Sequence, residues 1–347
     1  MSELFKVGFS HLSAPLKERE RASVPEVEVA AQLPGLAREL GVSELVLLST
    51  CSRLEIYGVA PRAGQAAGRA RAWFLRRGGP GLEGSLGSLL GNAALGHLFR
   101  VAAGLDSWII GESEVLGQVK RAYEAARAAK MTGPWLNRCF QSALAAGKSA
   151  RARTGIQNGV SSIGGAAAAL ARQIFGSRDD GSIVVFGAGE AAEAVARHLA
   201  VKNFKDISVA NRTPERAEEL ARRIGGRPMT FAEGLELLAR AEVGVFSTAS
   251  PAALLQAEML RGIVARRRRP LFLIDLGMPR NVDPGCAAVS GAYLYDLDDL
   301  KQVVARSVEA KAKDKAAAES LVSEAASRCA LELDKAAAFA RPREAVA

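Results

Sequence analysis

The segment SIVVFGAGEAAEAVARHLA, residues 182–200, joins an apolar run to a helical pattern through a glycine-rich turn. The run IVVF is typical of a buried strand, and the turn fits the pattern G-x-G-x-x-A. In that pattern the first glycine permits a tight turn, the second lets backbone N–H groups approach a pyrophosphate, and the helix N-terminus supplies positive potential. A purely structural glycine turn is the alternative. We predict a dinucleotide site formed by Gly187, Gly189, Glu190, Ala191 and Ala192.

Strands and helices continue to alternate after this turn. The stretches DISVANRT, EVGVFSTA and PLFLIDLGMPR are typical of strands, and PERAEELARRI has helical spacing. Alternation of this kind predicts βαβ units and a parallel sheet. We therefore expect a Rossmann-type nucleotide-binding domain over residues 151–297.

The end of the second strand of this domain favours one coenzyme. An NAD-binding domain usually carries an acidic residue there, which receives the ribose hydroxyls. This strand instead ends in Ala210-Asn211-Arg212-Thr213, and an arginine among amide and hydroxyl donors suits a ribose 2′-phosphate. We predict NADPH as the cofactor, held here by Asn211, Arg212 and Thr213. A turn and helix cap made by Asn211 and Thr213 before Pro214 is compatible with this assignment.

Residues 1–150 have a different pattern, in which strand-like runs precede a mostly helical region. The runs FKVGFS, LVLLST and LEIYGVA predict strands, EVEVAAQLPGLAREL predicts a helix, and GGPGLEGSLG predicts a loop. The tail from Asp298 to Ala340 contains no proline or glycine and predicts a long helix. The expected fold is an α/β multidomain protein with an N-terminal α+β catalytic domain (1–150), the Rossmann-type domain (151–297) and a C-terminal helix (298–347).

Composition excludes some classes of protein and permits one class of partner. The chain has no run approaching the ~18 apolar residues of a membrane span and no signal-like N-terminus, so we expect a cytoplasmic protein with no membrane partner. Its four cysteines are widely spaced and form no cluster with the three histidines, which argues against a metal site or a disulfide framework. A net charge of +9 permits a polyanionic partner such as RNA, although the arginines of GRARAWFLRR also fit a solvated helix face.

The strand LVLLST ends at Cys51, next to Arg53. A thiolate can capture an acyl group as a thioester, which hydride then reduces to an aldehyde. A cysteine thiol needs a cationic or dipolar neighbour to ionise at neutral pH, and Arg53 is a candidate for that role. A small buried packing residue is the alternative interpretation.

Several segments resemble, in order, those of glutamyl-tRNA reductases. They are STCSRLEIYG, HLFRVAAGLDSWIIGESEVLGQVKRAY, VFGAGEAAEAVARHL, VANRTPERAEELA and LFLIDLGMPRNVDP followed by GAYLYDLDDL. Those enzymes use NADPH to convert the activated α-carboxyl of glutamate on tRNA into glutamate-1-semialdehyde, the entry to tetrapyrrole synthesis. The resemblance implies glutamyl-tRNA(Glu) as substrate, and glutamate-1-semialdehyde aminotransferase is a candidate partner for the product.

The same resemblance implies roles for individual residues. Cys51 corresponds to the nucleophile, and Arg53 to the residue that pairs with the side-chain carboxylate of the glutamyl group. His97 corresponds to a histidine at the edge of the active site that could assist proton transfer, and a histidine packed within its helix is the alternative. The remaining residues implied to hold the glutamyl group are Thr50, Ser107 and Gln118.

The chain also departs from that family. Ser52 replaces the usual asparagine, GESE replaces the commoner GEPQ, and the C-terminal helical dimerisation region is short, so we expect no tight homodimer. The tract Arg266 to Arg269 is either a tRNA phosphate contact or a solvated loop. Two other functions remain open: an NADP-dependent small-molecule dehydrogenase of the shikimate dehydrogenase type, and a non-catalytic tRNA-binding or regulatory paralogue.

Overall fold

The structure is a computed structural model that describes residues 2–107, 109–157, 162–175, 181–201, 204, 206–300 and 312–339. The chain divides into two compact units. One comprises Met1–Gly159 with Val308–Ala347, and the other comprises Val160–Ser307. The expected boundary at residue 150 lies inside a helix of the first unit, and the C-terminal helix, expected as a segment of its own, belongs to that unit as well.

The first unit contains a four-stranded antiparallel sheet with the order β2-β3-β1-β4. The strands are β1 (Glu3–Ser10), β2 (Glu44–Ser49), β3 (Arg53–Ala60) and β4 (Gly87–Leu90). The first three coincide with the predicted strands. β4 is only four residues long, too short for its pattern to reveal it.

Helices cover both faces of this sheet. They are α1 (Leu16–Ala22), α2 (Glu26–Leu40), α3 (Ala63–Gly78), α4 (Gly91–Ala103), α5 (Ser113–Ala128) and α6 (Pro134–Arg153). Phe74 of α3 packs edge-on against Phe9 on one face, and Phe140 of α6 packs edge-on against Tyr57 on the other. Because residues alternate between the faces of a strand, charged residues that share a face with Tyr57 are buried beneath α4 and α6.

The arginines of α3 are not simply a solvated face. Arg69 donates to the carbonyl of Leu40, and Arg77 donates to the carbonyl of Ala22. These carbonyls lie at the last residues of α2 and α1, where a helix leaves backbone acceptors without intrahelical partners. Part of the positive charge of the chain is therefore used to cap neighbouring helices.

The second unit contains a six-stranded parallel sheet with the order β10-β9-β8-β5-β6-β7. Its elements are α7 (Ile163–Phe175), β5 (Ser182–Phe186), α8 (Glu190–Val201), β6 (Asp206–Asn211), α9 (Pro214–Ile224), β7 (Arg227–Thr230), α10 (Phe231–Leu237), β8 (Val243–Phe246), α11 (Ala257–Val264), β9 (Leu271–Asp275) and β10 (Ala292–Tyr295). This confirms the predicted Rossmann-type sheet. The edge strands β7 and β10, of four residues each, were not predicted.

The last described helix, α12 (Ala312–Phe339), packs against α4 and α6 of the first unit. It buries a stripe of small and apolar side chains at helical spacing, namely Ala318, Val322, Ala326, Cys329 and Leu333. The long predicted helix is therefore present over Ala312–Phe339, whereas its predicted start at Asp298 lies in a turn. Residues 301–311 of that prediction lie outside the described residues.

A pair of helical glycines tests the packing of α6 on α4. A Cβ at Gly147 would lie 2.5 Å from the carbonyl oxygen of Ala102, whereas a Cβ at Gly68 of α3 would meet nothing within 4 Å. We expect Gly147→Ala to lower the free energy of unfolding by about 1–3 kcal/mol through overpacking. Gly68→Ala should raise it by up to about 1 kcal/mol, because alanine favours the helix. Denaturant unfolding of both variants is the measurement, and equal effects would contradict the packing described.

Candidate active site and nucleotide-binding site

A hydroxyl-closed turn holds Cys51 between β2 and β3. The Thr50 side-chain oxygen accepts hydrogen bonds from the backbone N–H groups of Ser52 (3.2 Å) and Arg53 (3.1 Å). The Thr50 N–H in turn donates to the carbonyl of Arg53 at 2.9 Å. Turns closed by a serine or threonine hydroxyl are a common way to reverse a chain tightly. Thr50 thus presents Cys51, which is partly exposed, at the tip of the turn.

The surroundings of Cys51 keep its thiol protonated in this structure. Burial raises the pKa of Cys51 to about 12, and the carboxylates of Glu112 and Glu114 act in the same direction. The opposing cation is Arg19 of α1, which also donates to the Cys51 carbonyl at 2.7 Å. Arg53, expected to favour the thiolate, instead has its guanidinium paired with Glu55 and Asp106, and Arg19 is the cation that lowers the pKa of Cys51.

Glu112 is itself a perturbed group. Its side chain is buried, and burial together with Glu114 raises its pKa to about 7. Arg151 of α6 anchors the backbone beside it by donating to the Glu112 carbonyl at 2.7 Å. A carboxyl with such a pKa changes charge near neutral pH, and that change acts on the neighbouring thiol.

Glu55 of β3 collects donors from three elements. One carboxylate oxygen receives Lys6 Nζ of β1 (3.1 Å), Arg53 Nη1 (3.1 Å) and His97 Nε2 of α4 (2.9 Å). The other oxygen accepts the Tyr57 hydroxyl at 2.8 Å. Burial alone would raise the pKa of Glu55, but His97, Lys6 and Arg53 hold it well below its usual range. This carboxylate stays ionised and organises the polar groups under α4.

Gly8 allows β1 to lie close enough for this arrangement. It pairs with Glu55 across the sheet, and its backbone φ is +153°. A Cβ at this position would lie 2.2 Å from the Leu54 carbonyl oxygen and 2.7 Å from the Glu55 Cα. A larger residue would push β1 away from β3 and shift Lys6 relative to Glu55.

Arg53 is fully buried and links β3 to the segment after α4. Its Nη1 atom lies 3.1 Å from Asp106 Oδ2, and its Nη2 atom donates to the Asp106 carbonyl. Burial acts to lower the pKa of Arg53, but Glu55 and Asp106 raise it above its ordinary value. Ser107, also buried, follows Asp106 directly, so the structure brings the predicted Thr50, Arg53 and Ser107 into one region.

His97 and Gln118 are placed differently. His97 is one of the residues bonded to the Glu55 carboxylate, and its ring stacks on Tyr57 with 6.4 Å between centroids. Gln118 of α5 lines a neighbouring cavity of about 190 Å³ together with Ser49, the last residue of β2. None of the contacts among the described residues joins Gln118 to Cys51.

Sequence analysis missed several residues of this region, among them Arg19, Glu55, Asp106 and Glu112. Glu55 had a detectable signal, because residues 53 and 55 of one strand point to the same face. Asp106 directly precedes Ser107, although nothing in the sequence pairs it with Arg53. Arg19 and Glu112 reach Cys51 from distant parts of the chain, which no local pattern reveals.

In the second unit, the glycine-rich turn follows β5 at the point where the strand order reverses. β5 lies between β8 and β6, and such a switch point is where nucleotides bind in doubly wound sheets. Gly187 has φ +113°, and a Cβ there would lie 2.1 Å from the Ser247 carbonyl oxygen. Nothing lies within 4 Å of a Cβ at Gly189, so the backbone is open to a phosphate. Glu190, Ala191 and Ala192 form the first turn of α8, and this geometry fits a pyrophosphate.

The end of β6 leaves a cation exposed. Asn211 donates through its side chain to the Thr213 carbonyl at 3.3 Å, and the Thr213 hydroxyl makes no capping bond to α9. Arg212 is exposed and forms no ion pair within the described part of the chain. An unneutralised guanidinium next to a free hydroxyl suits a phosphate group.

Side-chain hydrogen bonds tie the loops after β8 and β9 together on the same edge of the sheet. Asn281 accepts from the Thr248 N–H at 2.7 Å and donates to its carbonyl at 3.3 Å. The buried Asp275 accepts from the N–H groups of Gly277 (2.9 Å) and Val282 (2.8 Å). These loops border the switch point beside Gly187, and sequence analysis did not identify them.

The described ranges also bear on metal binding and on membrane insertion. Those residues contain no group of three or more His, Cys, Asp or Glu side chains placed to hold a metal ion. Of the helices described above, none combines the length and apolarity that crossing a membrane requires.

Each unit matches a known protein family. Residues 7–154 match the family model "Glutamyl-tRNAGlu reductase, N-terminal domain", and residues 169–303 match "Shikimate / quinate 5-dehydrogenase". The chain is 42% identical over 322 residues to the glutamyl-tRNA reductase of Rubrobacter xylanophilus, covering 91% of this chain and 74% of the relative. It is 40% identical over 319 residues to that of Deinococcus radiodurans, covering 92% and 89%.

A solved structure agrees with these relatives. The glutamyl-tRNA reductase from Methanopyrus kandleri has a TM-score of 0.53 and 35% identity, with 96% of this chain and 80% of that chain covered. The likeness thus extends over both units and is not confined to the widely shared nucleotide-binding fold. The chain belongs to the glutamyl-tRNA reductase family.

Proposed function

We propose that this chain reduces glutamyl-tRNA(Glu) to glutamate-1-semialdehyde with NADPH, the first step of tetrapyrrole synthesis. The observation that carries the proposal is Cys51 at the tip of a hydroxyl-closed turn, in the unit that matches the reductase N-terminal domain. A dehydrogenase of the shikimate type is not favoured, because that likeness covers only residues 169–303 and gives the Cys51 turn no role. A non-catalytic paralogue would not need a nucleophile in this setting.

Cys51 supplies the covalent step. Its sulfur attacks the ester carbonyl carbon of the glutamyl group, and the bond from that carbon to the ribose oxygen of the tRNA breaks. The thiol proton goes to the departing ribose oxygen, so the products are a thioester on Cys51 and free tRNA. The nicotinamide cofactor, when bound, supplies the hydride that reduces an acyl group to an aldehyde.

Arg53 and its partners suit the side-chain carboxylate of the substrate. Asp106 already places a carboxylate oxygen 3.1 Å from Arg53 Nη1, and a carboxylate oxygen of Glu55 lies at the same distance from that atom. We expect the substrate carboxylate to replace Asp106, with Thr50 and Ser107 completing the pocket, while Gln118 lies in the neighbouring cavity beside Ser49. Glu55 and His97 would keep Arg53 in position during this exchange.

The acidic groups beside Cys51 suit the other charged end of the substrate. A glutamyl ester carries an α-ammonium group next to the carbonyl that Cys51 attacks. Pairing of this cation with Glu112 or Glu114 would weaken the effect by which those carboxylates raise the pKa of Cys51. Substrate binding would thereby help the thiol to lose its proton.

The arginine tract 266–269 bears on the binding of tRNA. Within the tract 266–269, Arg267 donates to the carbonyls of Arg269 and Pro270, and Arg269 pairs with Glu242. Arg266 and Arg268 are exposed, which leaves them suited to tRNA phosphates. We expect the aldehyde to pass to glutamate-1-semialdehyde aminotransferase.

The decisive experiment separates the two half-reactions. Without NADPH, the protein should deacylate labelled glutamyl-tRNA and retain glutamate on Cys51 or release it slowly by hydrolysis. Cys51→Ser should lose the label and at least about a hundredfold of aldehyde formation, because an alkoxide is far harder to form than a thiolate. Cys286→Ser is the matched control, since Cys286 is buried in the second unit. Near-normal aldehyde formation by Cys51→Ser would refute the proposal.

Glu112→Gln should have opposite effects on thiol reactivity and on turnover. Removal of the carboxylate lowers the pKa of Cys51, so alkylation of that thiol by iodoacetamide at pH 7.5 should become about tenfold faster. Aldehyde formation should slow, because the α-ammonium group loses a partner. Glu124→Gln, an exposed change on α5, the helix that Glu112 directly precedes, should alter neither rate. Unchanged alkylation in Glu112→Gln would show that Glu112 does not act on Cys51.

Arg212 should decide the coenzyme. We expect kcat/KM to favour NADPH over NADH by at least about tenfold, because one charge-assisted contact to the 2′-phosphate is worth ~1.5–3 kcal/mol. Arg212→Asp should reverse the preference. Arg222→Asp makes the same charge change at the far end of α9 and should leave it intact. Equal kcat/KM values for the two coenzymes in the unsubstituted protein would contradict the assignment.

A further inference from the structure

Two cysteines meet where the C-terminal helix packs on α6. Cys139 of α6 and Cys329 of α12 are both buried in the core of the first unit, where the two helices pack together. Hydrogen bonding between the two thiols is the largest influence on the pKa of each. Ser142, one turn further along α6, also hydrogen-bonds to Cys329. The ion pair Arg138–Glu332, at 2.8 Å, joins the same two helices beside the thiols. The pair is thus held in contact by interactions on either side of it.

The two sulfurs differ in their access to solvent. Cys329 lines a cavity of about 320 Å³ between α6 and α12, whose walls include polar and charged side chains, namely Ser142, Ser149, Arg153, Glu324, Arg328 and Glu332. A polar cavity of this size holds water and admits a small polar oxidant. Cys139 does not line this cavity and is fully buried.

The two thiols also differ in acidity. The hydrogen bond from Cys139 lowers the pKa of Cys329 by more than burial raises it, and the bond from Ser142 adds to this. The hydrogen bond to Cys329 and burial raise the pKa of Cys139. Cys329 is therefore the sulfur suited to react first, and Cys139 is the sulfur placed to react with the product.

We propose that Cys139 and Cys329 form a disulfide when the protein meets a hydroperoxide, so that this pair is a redox-modification site separate from Cys51. The Cys329 sulfur attacks the terminal peroxide oxygen, the O–O bond breaks, and the thiol proton goes to the departing oxygen. The product is a sulfenic acid on Cys329 and one molecule of alcohol or water. The Cys139 sulfur then attacks the Cys329 sulfur, the S–O bond breaks, and water leaves with the Cys139 proton. Two electrons pass from the two thiols to the peroxide.

The bond would change the protein by fixing α12 to α6. It would close a covalent loop from residue 139 to residue 329, which contains the whole second unit. Such a cross-link stabilises mainly by reducing the freedom of the unfolded chain. Oxidation would therefore join the two packed helices covalently until a reductant cleaves the disulfide.

Peptide mapping of the full-length chain tests the proposal directly. Trypsin should release the peptides CFQSALAAGK and CALELDK, each of which begins with one of the two cysteines. After treatment with hydrogen peroxide and blocking of free thiols, we expect these peptides linked to each other, with a mass about 2 Da below their sum. Dithiothreitol should separate them. Recovery of both peptides blocked as free thiols, or each carrying a sulfinic acid, would overturn the proposal.

Two serine variants test the order of the steps. In Cys139→Ser, the sulfenic acid on Cys329 has no second thiol to attack it, so dimedone should label Cys329. In Cys329→Ser, dimedone should leave Cys139 unlabelled. On oxidation, the melting temperature of the unsubstituted chain should rise by several degrees, and that of Cys139→Ser should not. Dimedone labelling of Cys139 would contradict the mechanism. An equal rise in melting temperature for the unsubstituted chain and Cys139→Ser would also contradict it. Mapping of the unsubstituted chain decides the question even if a variant folds poorly.

Discussion

The buried carboxylate of Glu55 is the interaction on which the first unit depends. It lies on a central strand and receives donors from β1, β3 and α4, so one ionised group fixes the relative positions of a sheet and a helix. A lone carboxylate in this position would be strongly destabilising, whereas a fully paired one is tolerated. Because Glu55 pairs with Arg53 and Arg53 pairs with Asp106, the geometry of the proposed substrate pocket depends on this one residue.

The surroundings of Cys51 keep its thiol uncharged, whereas those of Glu55 keep its carboxylate ionised. Backbone hydrogen bonds to Thr50 define the place of Cys51, but burial and the nearby carboxylates oppose its ionisation. A nucleophile that stays protonated until its substrate arrives is protected from unwanted reactions. In our proposal, the acidic residues that impose this state also pair with the cationic end of a glutamyl ester, so the same side chains would serve protection and recognition.

The second unit builds its site chiefly from backbone. Gly187 and Gly189 expose N–H groups at the start of α8, and Asp275 and Asn281 hold the neighbouring loops by hydrogen bonds to backbone atoms. Such a site depends on the parallel sheet being formed and on few individual side chains. Arg212 is the exception, since its charge is left to a ligand, and it is where coenzyme choice resides in our proposal.

Local pattern by itself determined most helices and long strands, the glycine-rich turn, and the adjacency of Thr50, Cys51 and Arg53, because hydrophobic periodicity and turn chemistry act over a few residues. It did not reveal β4, β7 or β10, which are four-residue edge strands with mostly unburied residues, whereas the equally short β8 is buried throughout and has the apolar run of a buried strand. Only the tertiary structure decided the partners of the charged groups: Arg53 with Glu55 and Asp106, and Cys51 with Arg19 and Glu112. It likewise brought Cys329 to Cys139. The physical reason is that pKa values and ion pairs depend on burial and on distances between residues far apart in the chain, which a sequence does not specify locally.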